Sequence, residues 1–434
     1  MKLGFIAVSG VRIQDQELLS LGLTLPGFIE RSKVIASLPS LSLLTLAGMT
    51  PPCINASYHE LPDEIHPDQL DEDFDVVAIA SFSARIKEAY HLSDLYRARG
   101  VKTILGGLHV TALPEEAALH ADVLVLGEAE PVWPQLISDL LEGDFASIYD
   151  GRKQNFDLAD APMPRFDLLN IELYNRITIQ TQRGCPFDCD FCGSSIRLTP
   201  HYKMKPVEKV MAEIKAIKEI WPQPFIEFAD DNSFVNKRHS KKLLRGLAKH
   251  EVKWFTETDL SIAHDDELLS LMHDSQCSQV LIGFESPTLK GLSGLERKSD
   301  WKARQLDHYA WAIDRIQSYG ITVNGCFVLG LDGQGPEQFE AVETFVKNSG
   351  LYEVQVTIQT PFPGTPLYDR FKAQGRLINE TGWESCTLFD LNYHLDGLSS
   401  EAFARGFREL VRRLYSREAT QARRRNFVRL KSGG

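Results

Sequence analysis

The sequence predicts an α/β protein of two parallel-sheet units: a doubly wound, Rossmann-like N-terminal domain, then a partial (β/α)6 barrel of the TIM type, and finally a small α-rich C-terminal region. Three observations carry this expectation. The length of 434 residues exceeds the span over which one hydrophobic core keeps growing, so two or three domains are expected. Over residues 1–150, short apolar runs alternate with helical patterns, the mark of strands buried on both faces. From residue 177 the alternation resumes for six strands and five intervening helices, which fits a partial barrel.

In the first unit (1–150), strands are expected at 3–8, 75–80 (DVVAIA), 102–105 and 123–126 (VLVL), with a helix at 84–99. Ligands of such sheets sit beyond the carboxyl ends of the strands. Those ends carry SFS at 81–83, GGLHVT at 106–111 and GEAE at 127–130. Their glycines permit close backbone approach, and three such loops on one edge point to a ligand site. Residues 151–176, with prolines and little periodicity, read as a linker. The barrel (177–367) is expected to place strands at 177–181, 225–229, 253–258, 279–284, 322–329 and 353–359. Its helices fall at 205–220, 237–250, 265–275, 301–319 and 336–349. The C-terminal region (368–434) has an amphipathic helix at 400–417 and is a possible substrate cover. Its Trp383, Phe389, Tyr393 and His394 could line a pocket or form a small core, of which the core is favoured.

The formal charge of −12 argues against a broad grip on nucleic acid or anionic lipid. The short basic tail QARRRNFVRLKSGG reads as a solvated helix end. The N-terminal apolar run is too short for a signal peptide or a membrane span. Seven cysteines without an export signal point to a reducing, cytoplasmic setting.

Three of the seven crowd into QRGCPFDCDFCGSSIRL, where Cys185, Cys189 and Cys192 follow the first barrel strand as C-x3-C-x2-C. A structural zinc site normally completes four ligands, and here only His201 is nearby, beyond a proline. Three thiolates with one metal position left open suit an iron–sulfur cluster that binds something else. Cys53, Cys277, Cys326 and Cys386 read as ordinary packing cysteines, Cys386 with the least support.

With its aromatic Phe191 before the last cysteine, this motif resembles that of radical S-adenosylmethionine (SAM) enzymes. The resemblance implies that the three cysteines hold three irons of a 4Fe-4S cluster. The fourth iron then chelates SAM, and an electron cleaves it to a 5′-deoxyadenosyl radical. It further implies SAM contacts at Phe191, at Asp230 in EFADDNSFVN, at Glu285 and Ser286 in LIGFES, and at Val328 and Leu329 in NGCFVLGLDGQGPE. Asp231 beside Asp230 could equally be a helix cap. The N-terminal unit is similar to the cobalamin-binding domain of cobalamin-dependent radical SAM enzymes. That likeness implies corrin contacts from Ser81, Phe82, Ser83, Gly106, Gly107, His109, Val110, Gly127, Glu128 and Glu130. No D-x-H-x-x-G motif is present, so His109 is not expected to ligate cobalt.

The resemblance implies a cobalamin-dependent radical methyltransferase acting on an unactivated carbon or phosphorus centre of a small-molecule or lipid-like substrate, reduced by a donor such as flavodoxin or ferredoxin. Two alternatives stand beside it. One is a cyclase, ring-contracting or oxidative enzyme of the same architecture. The other is a cobalamin or redox sensor.

Overall fold

A computed structural model describes residues 1–11, 13–20, 38–61, 73–199 and 201–432. Its first sheet contains β1 (Lys2–Val8), β2 (Asn55–Leu61), β3 (Val76–Ser81), β4 (Lys102–Gly106), β5 (Val123–Leu126) and β6 (Ile148–Asp150). They lie in the order β2-β1-β3-β4-β5-β6, all parallel. Alternate residues serve opposite cores, as the two-residue period of a strand requires. Val77, Ile79 and Leu124 pack on one face with Tyr90 and Tyr96, while Val76, Ala78 and Val123 pack on the other with Trp133 and Leu136. The sequence reading missed β2 and β6. Both are edge strands, and β2 (NASYHEL) is half-exposed along most of its length, so it lacks the apolar run of its neighbours.

The second sheet contains β7 (Ile177–Ile179), β10 (Phe225–Ser233), β11 (Lys253–Thr258), β12 (Cys277–Glu285), β13 (Thr322–Leu329) and β14 (Glu353–Ile358). They form the parallel order β14-β13-β12-β11-β10-β7. Its two end strands do not pair with each other, so the barrel is partial. Between β7 and β10 a two-stranded ribbon is inserted, β8 (Gln182–Arg183) against β9 (Lys203–Met204). Ile226, Phe228, Trp254, Ile282, Phe327 and Val356 face outward into one core under the helices. The helix Val207–Ile220 meets them with Val210, Ile214 and Ile217, spaced for one helical face. Strand alternation therefore turns Glu227, Glu257, Asn324 and Gln355 toward the lumen.

Residues 151–176, expected as a linker, are packed. They make three single helical turns, bury Leu158 and Phe166, and return to the first domain through Arg165 N–H to Leu44 O at 3.0 Å. The helix Ser400–Leu414, capped by Ser399, packs Phe403, Phe407 and Leu410 onto the barrel core. The basic tail forms the helix Arg417–Ser432, of which Arg423 is buried and donates to Leu414 O at 2.8 Å; only part of it is solvated, and 433–434 lie outside the described residues. No helix among the described residues is long and apolar enough to cross a membrane.

Candidate active site

The three-cysteine loop begins at the carboxyl end of β7 and is held at four points. Asp230, 3% exposed on β10, receives both backbone N–H groups of Thr181 (2.8 Å) and Gln182 (3.1 Å) on Oδ1; its Oδ2 receives the hydroxyls of Thr181 and Ser233. Asp231 binds Gly184 N–H (2.8 Å) and both the N–H (3.1 Å) and the hydroxyl of Ser195. Arg197 donates to the carbonyls of Cys192 (2.8 Å) and Cys189 (3.0 Å). The fourth point is Glu296, which accepts from Asp188 N–H, Lys298 N–H and the N–H and hydroxyl of Ser299. Burial would raise its carboxyl, but the Ser299 hydroxyl and these N–H groups outweigh burial and push the pKa down to about 2. Residues 295–297 thus run beside 188–190 like a short strand, with Asp190 N–H on Leu295 O and Arg297 N–H on Asp188 O.

All three cysteines are free thiols. Burial raises each of them, and each sits close enough to another of the loop thiols or to an acidic group to feel its charge. Among the described residues no three ligating side chains already meet at one point, these thiols included. Three soft donors on one braced loop fit an iron–sulfur cluster.

Beside Cys189 lies a buried ion pair. Lys302 reaches Glu285 at 2.5 Å and Gly283 O at 2.8 Å, and its charge acts on the Cys189 thiol. Glu285 has φ +59°, a left-handed conformation costly for a non-glycine residue and characteristic of functional sites. On the next strand Glu257 faces the lumen and has no hydrogen-bond or ion-pair partner among the described residues. Burial, then the neighbouring carboxylates of Glu227, Asp231 and Glu285, push its pKa up to about 8. Those three neighbours are each bonded, Glu227 to Arg176, Asp231 to the loop and Glu285 to Lys302. Sequence reading missed both Lys302 and Glu257. Lys302 lies in an apparent surface helix, and nothing in KWFTETDL marks which acid lacks a partner.

The first sheet presents its carboxyl edge to the same region. Phe82 is 62% exposed and Leu108 37%, and they flank Gly106 and Gly107. Gly107 has φ +110° with nothing within 4 Å of where a Cβ would stand. Large apolar side chains standing free beside open backbone fit the face of a flat macrocycle. Ser81 lies half-buried on this edge.

Several of the residues expected at the cofactors have partners within the chain. His109 is buried, with Nδ1 at 3.0 Å from Ser83 Oγ, Nε2 at 3.3 Å from Glu116, and its ring against Trp383, so both ring nitrogens have partners within the chain. Val110 packs in the domain core. Gly127, φ +72°, lets Arg152 approach so closely that a Cβ would meet its backbone at 2.8 Å. Glu128 and Glu130 form ion pairs with Arg183 at 2.7 and 2.6 Å, and Glu128 also binds Lys203 at 2.5 Å. In the barrel, Asp230 has all its acceptor capacity directed at the loop backbone and neighbouring hydroxyls. Ser286 is buried against Thr288 and Gln334 (3.0 Å), and Leu329 points into the core behind the barrel wall, with Val328 also packed in that core. Phe191 is half-buried against the same core. Cys277 is core, but strand alternation turns Cys326 toward the lumen, where it bonds Thr357. Trp383, Phe389 and Tyr393 pack as core. Trp383 lies in the first domain's cluster, and Tyr393 sits 4.8 Å from Phe371.

A cysteine-loop barrel joined to a doubly wound domain with an open, apolar sheet edge defines a class of radical enzyme with two cofactor domains. Residues 179–346 match the family model of the radical SAM superfamily, and residues 39–137 match that of the B12 binding domain. The chain belongs to the cobalamin-dependent radical SAM enzymes, and its cofactors are a 4Fe-4S cluster, SAM and cobalamin. It is 28% identical over 370 residues to bacteriochlorophyllide d C-12(1)-methyltransferase of Chlorobaculum tepidum, covering 83% of this chain and 80% of that protein. It is 27% identical over 290 residues to hopanoid C-2 methylase of Rhodopseudomonas palustris, covering 65% and 54%. Among solved structures, the cobalamin-dependent radical SAM enzyme OxsB with aqua-cobalamin bound has the same fold, with TM-score 0.68 and 13% identity over 94% of this chain and 66% of that one.

Proposed function

We propose that this chain methylates an unactivated carbon, or a phosphorus centre, of a largely apolar small molecule. One observation carries the reading: the carboxyl ends of both sheets face each other. The loop after β5 meets the β8–β9 ribbon through Glu128 and Glu130, and Ala112 of the first domain stands beside Gly364 after β14. Methyl donor and radical source would thus open onto one cavity, as group transfer demands, since a misplacement of about 1 Å can cost 100-fold in rate. The substrate class is supported by the exposed Phe82 and Leu108 at that edge and by the bacteriochlorophyllide and hopanoid in the relatives' names.

When bound, the reduced cluster supplies the electron that cleaves SAM, and cobalamin supplies the methyl group. The protein's part is to bind, orient and exclude water. Cys185, Cys189 and Cys192 hold the cluster; Asp230, Asp231, Arg197 and Glu296 fix the loop that carries them. Glu257 offers the unpaired carboxyl of the lumen to a hydrogen-bond donor of SAM, and Lys302 orients Glu285 beside it. Phe82, Gly106, Gly107 and Leu108 receive the corrin. A small protein such as flavodoxin or ferredoxin reduces the cluster.

The test is product stoichiometry. Reconstituted enzyme is given SAM labelled in its methyl group, a reductant and a lipid extract of the source cells. Methyl transfer yields labelled product, with S-adenosylhomocysteine and 5′-deoxyadenosine appearing together. 5′-Deoxyadenosine with neither labelled product nor S-adenosylhomocysteine would instead mean cyclisation or oxidation.

A further inference from the structure

We propose that Arg183 is a positioning residue that sets the cobalamin domain against the cluster loop, through a buried four-charge bracket with Glu128, Glu130 and Lys203. The inference rests on the two cofactors and is independent of the methyl-transfer reading. Arg183 and Lys203 are directly opposite each other across the β8–β9 ribbon, so two cations stand side by side. Facing them are two carboxylates from the loop after β5. The contacts are 2.7 Å from Arg183 to Glu128, 2.6 Å from Arg183 to Glu130 and 2.5 Å from Lys203 to Glu128, and the four side chains are 1–14% exposed. Gln180, at the exit of β7, holds the guanidinium from behind at 2.9 and 3.2 Å.

A bracket of this kind sets geometry more than it stabilises. Burying four charges forfeits hydration that their mutual attraction only roughly repays, whereas the directions of a guanidinium fork allow little sliding. Arg183 is also placed to transmit position. The next residue, Gly184, is bonded to Asp231, and Cys185 follows it. On the other side, Gly127 at the start of the GEAE loop is fixed by Thr111 Oγ1 at 2.9 Å, within the segment that continues from Gly106 and Gly107. A continuous set of bonds therefore runs from the glycine edge of the first sheet to the first cysteine through side chains of this chain alone.

The test uses full-length protein reconstituted with cluster and hydroxocobalamin, in three forms: native, Arg183→Met, and the double variant Glu128→Gln/Glu130→Gln, which alters the bracket from the cobalamin side alone. Iron and cobalamin contents are measured first. Electron paramagnetic resonance then reads how strongly the reduced, fast-relaxing cluster shortens the relaxation of cob(II)alamin, an effect that falls steeply with separation. Both variants should hold native amounts of the two cofactors while the relaxation enhancement drops several-fold or spreads into a distribution. Native enhancement in either variant overturns the proposal, because the domains would then be set by other contacts. Loss of cobalamin from the double variant also overturns it and makes the glutamates cofactor ligands. If Arg183→Met does not fold, the double variant decides alone.

Discussion

Asp230 separates two accounts of the site, because a loop clamp and a SAM contact fail differently. Oδ1 of Asp230 takes both backbone N–H groups, of Thr181 and Gln182, and Oδ2 faces only hydroxyls, which rotate. In Asp230→Asn the amide oxygen keeps the two N–H bonds, and the new NH2 finds hydroxyl acceptors. In Asp230→Ala both N–H groups are buried without partners, at about 1–3 kcal/mol each. Burial, against the opposing bonds from Thr181, Gln182 and Ser233, pushes the carboxyl up to about 6 from 3.8. At about 1.4 kcal/mol per tenfold change in acidity, that amounts to about 3 kcal/mol. The folded chain thus holds the proton that the unfolded chain releases. The contribution of Asp230 is fully present below pH 3.8 and lost as pH rises through about 6.

Urea unfolding of the apoprotein, followed by tryptophan fluorescence, should therefore rank Asn above native at pH 8, by up to about 3 kcal/mol, and equal to it near pH 3.8. Ala should fall below Asn at both pH values by about 2–6 kcal/mol, the cost of two stranded donors. Iron content should follow the loop: native in Asn and reduced in Ala. SAM affinity of the Asn variant should match native. An Asn variant with full iron but SAM binding weakened tenfold or more would refute the clamp and return Asp230 to the cofactor.

Three further outcomes follow from the same geometry. Phe82→Ser should leave the apoprotein's stability within about 0.5 kcal/mol, since the ring is mostly solvated, yet weaken cobalamin binding about tenfold, as lost burial of an aromatic side chain requires; titration of cobalamin absorbance checks both halves against native protein. Glu257→Gln should gain stability over native as pH rises from 4.5 through about 8 and none below 4.5, because the folded lumen holds a proton that the unfolded chain gives up; a parallel pair of pH–stability curves would refute the unpaired carboxyl. Lys302→Met should cost about 3–5 kcal/mol by leaving Glu285 buried and unpaired, and Lys302→Met/Glu285→Gln should recover most of that without recovering SAM affinity, measured by calorimetry.

The architecture was legible because it depends on period and sign, which a chain displays openly. Strands such as VLVL and the helix Val207–Ile220 announce both faces of a sheet and its cover. The cysteine spacing likewise exposes its donor set. Partner choice among buried charges was not legible, because it is decided by neighbours far away in sequence. Glu130 meets Arg183 across 53 residues and Asp230 meets Thr181 across 49, so the donors that these strand-end acids meet within the chain could not be read from local sequence.

A common physical reason lies behind those reassignments. A carboxylate at a buried strand end needs a donor even when no cofactor is bound, so the fold supplies one: Glu128 and Glu130 take the ribbon cations, Asp230 and Asp231 the loop amides, and Glu285 takes Lys302. What stays unpartnered is then the informative remainder. In the first domain, Phe82 and Leu108 stand exposed beside an open glycine, as the face of a macrocycle requires. In the barrel, Glu257 has no hydrogen-bond or ion-pair partner among the described residues while its acidic neighbours are bonded, and it keeps its proton near neutrality, ready to offer or accept a hydrogen bond as the incoming group demands.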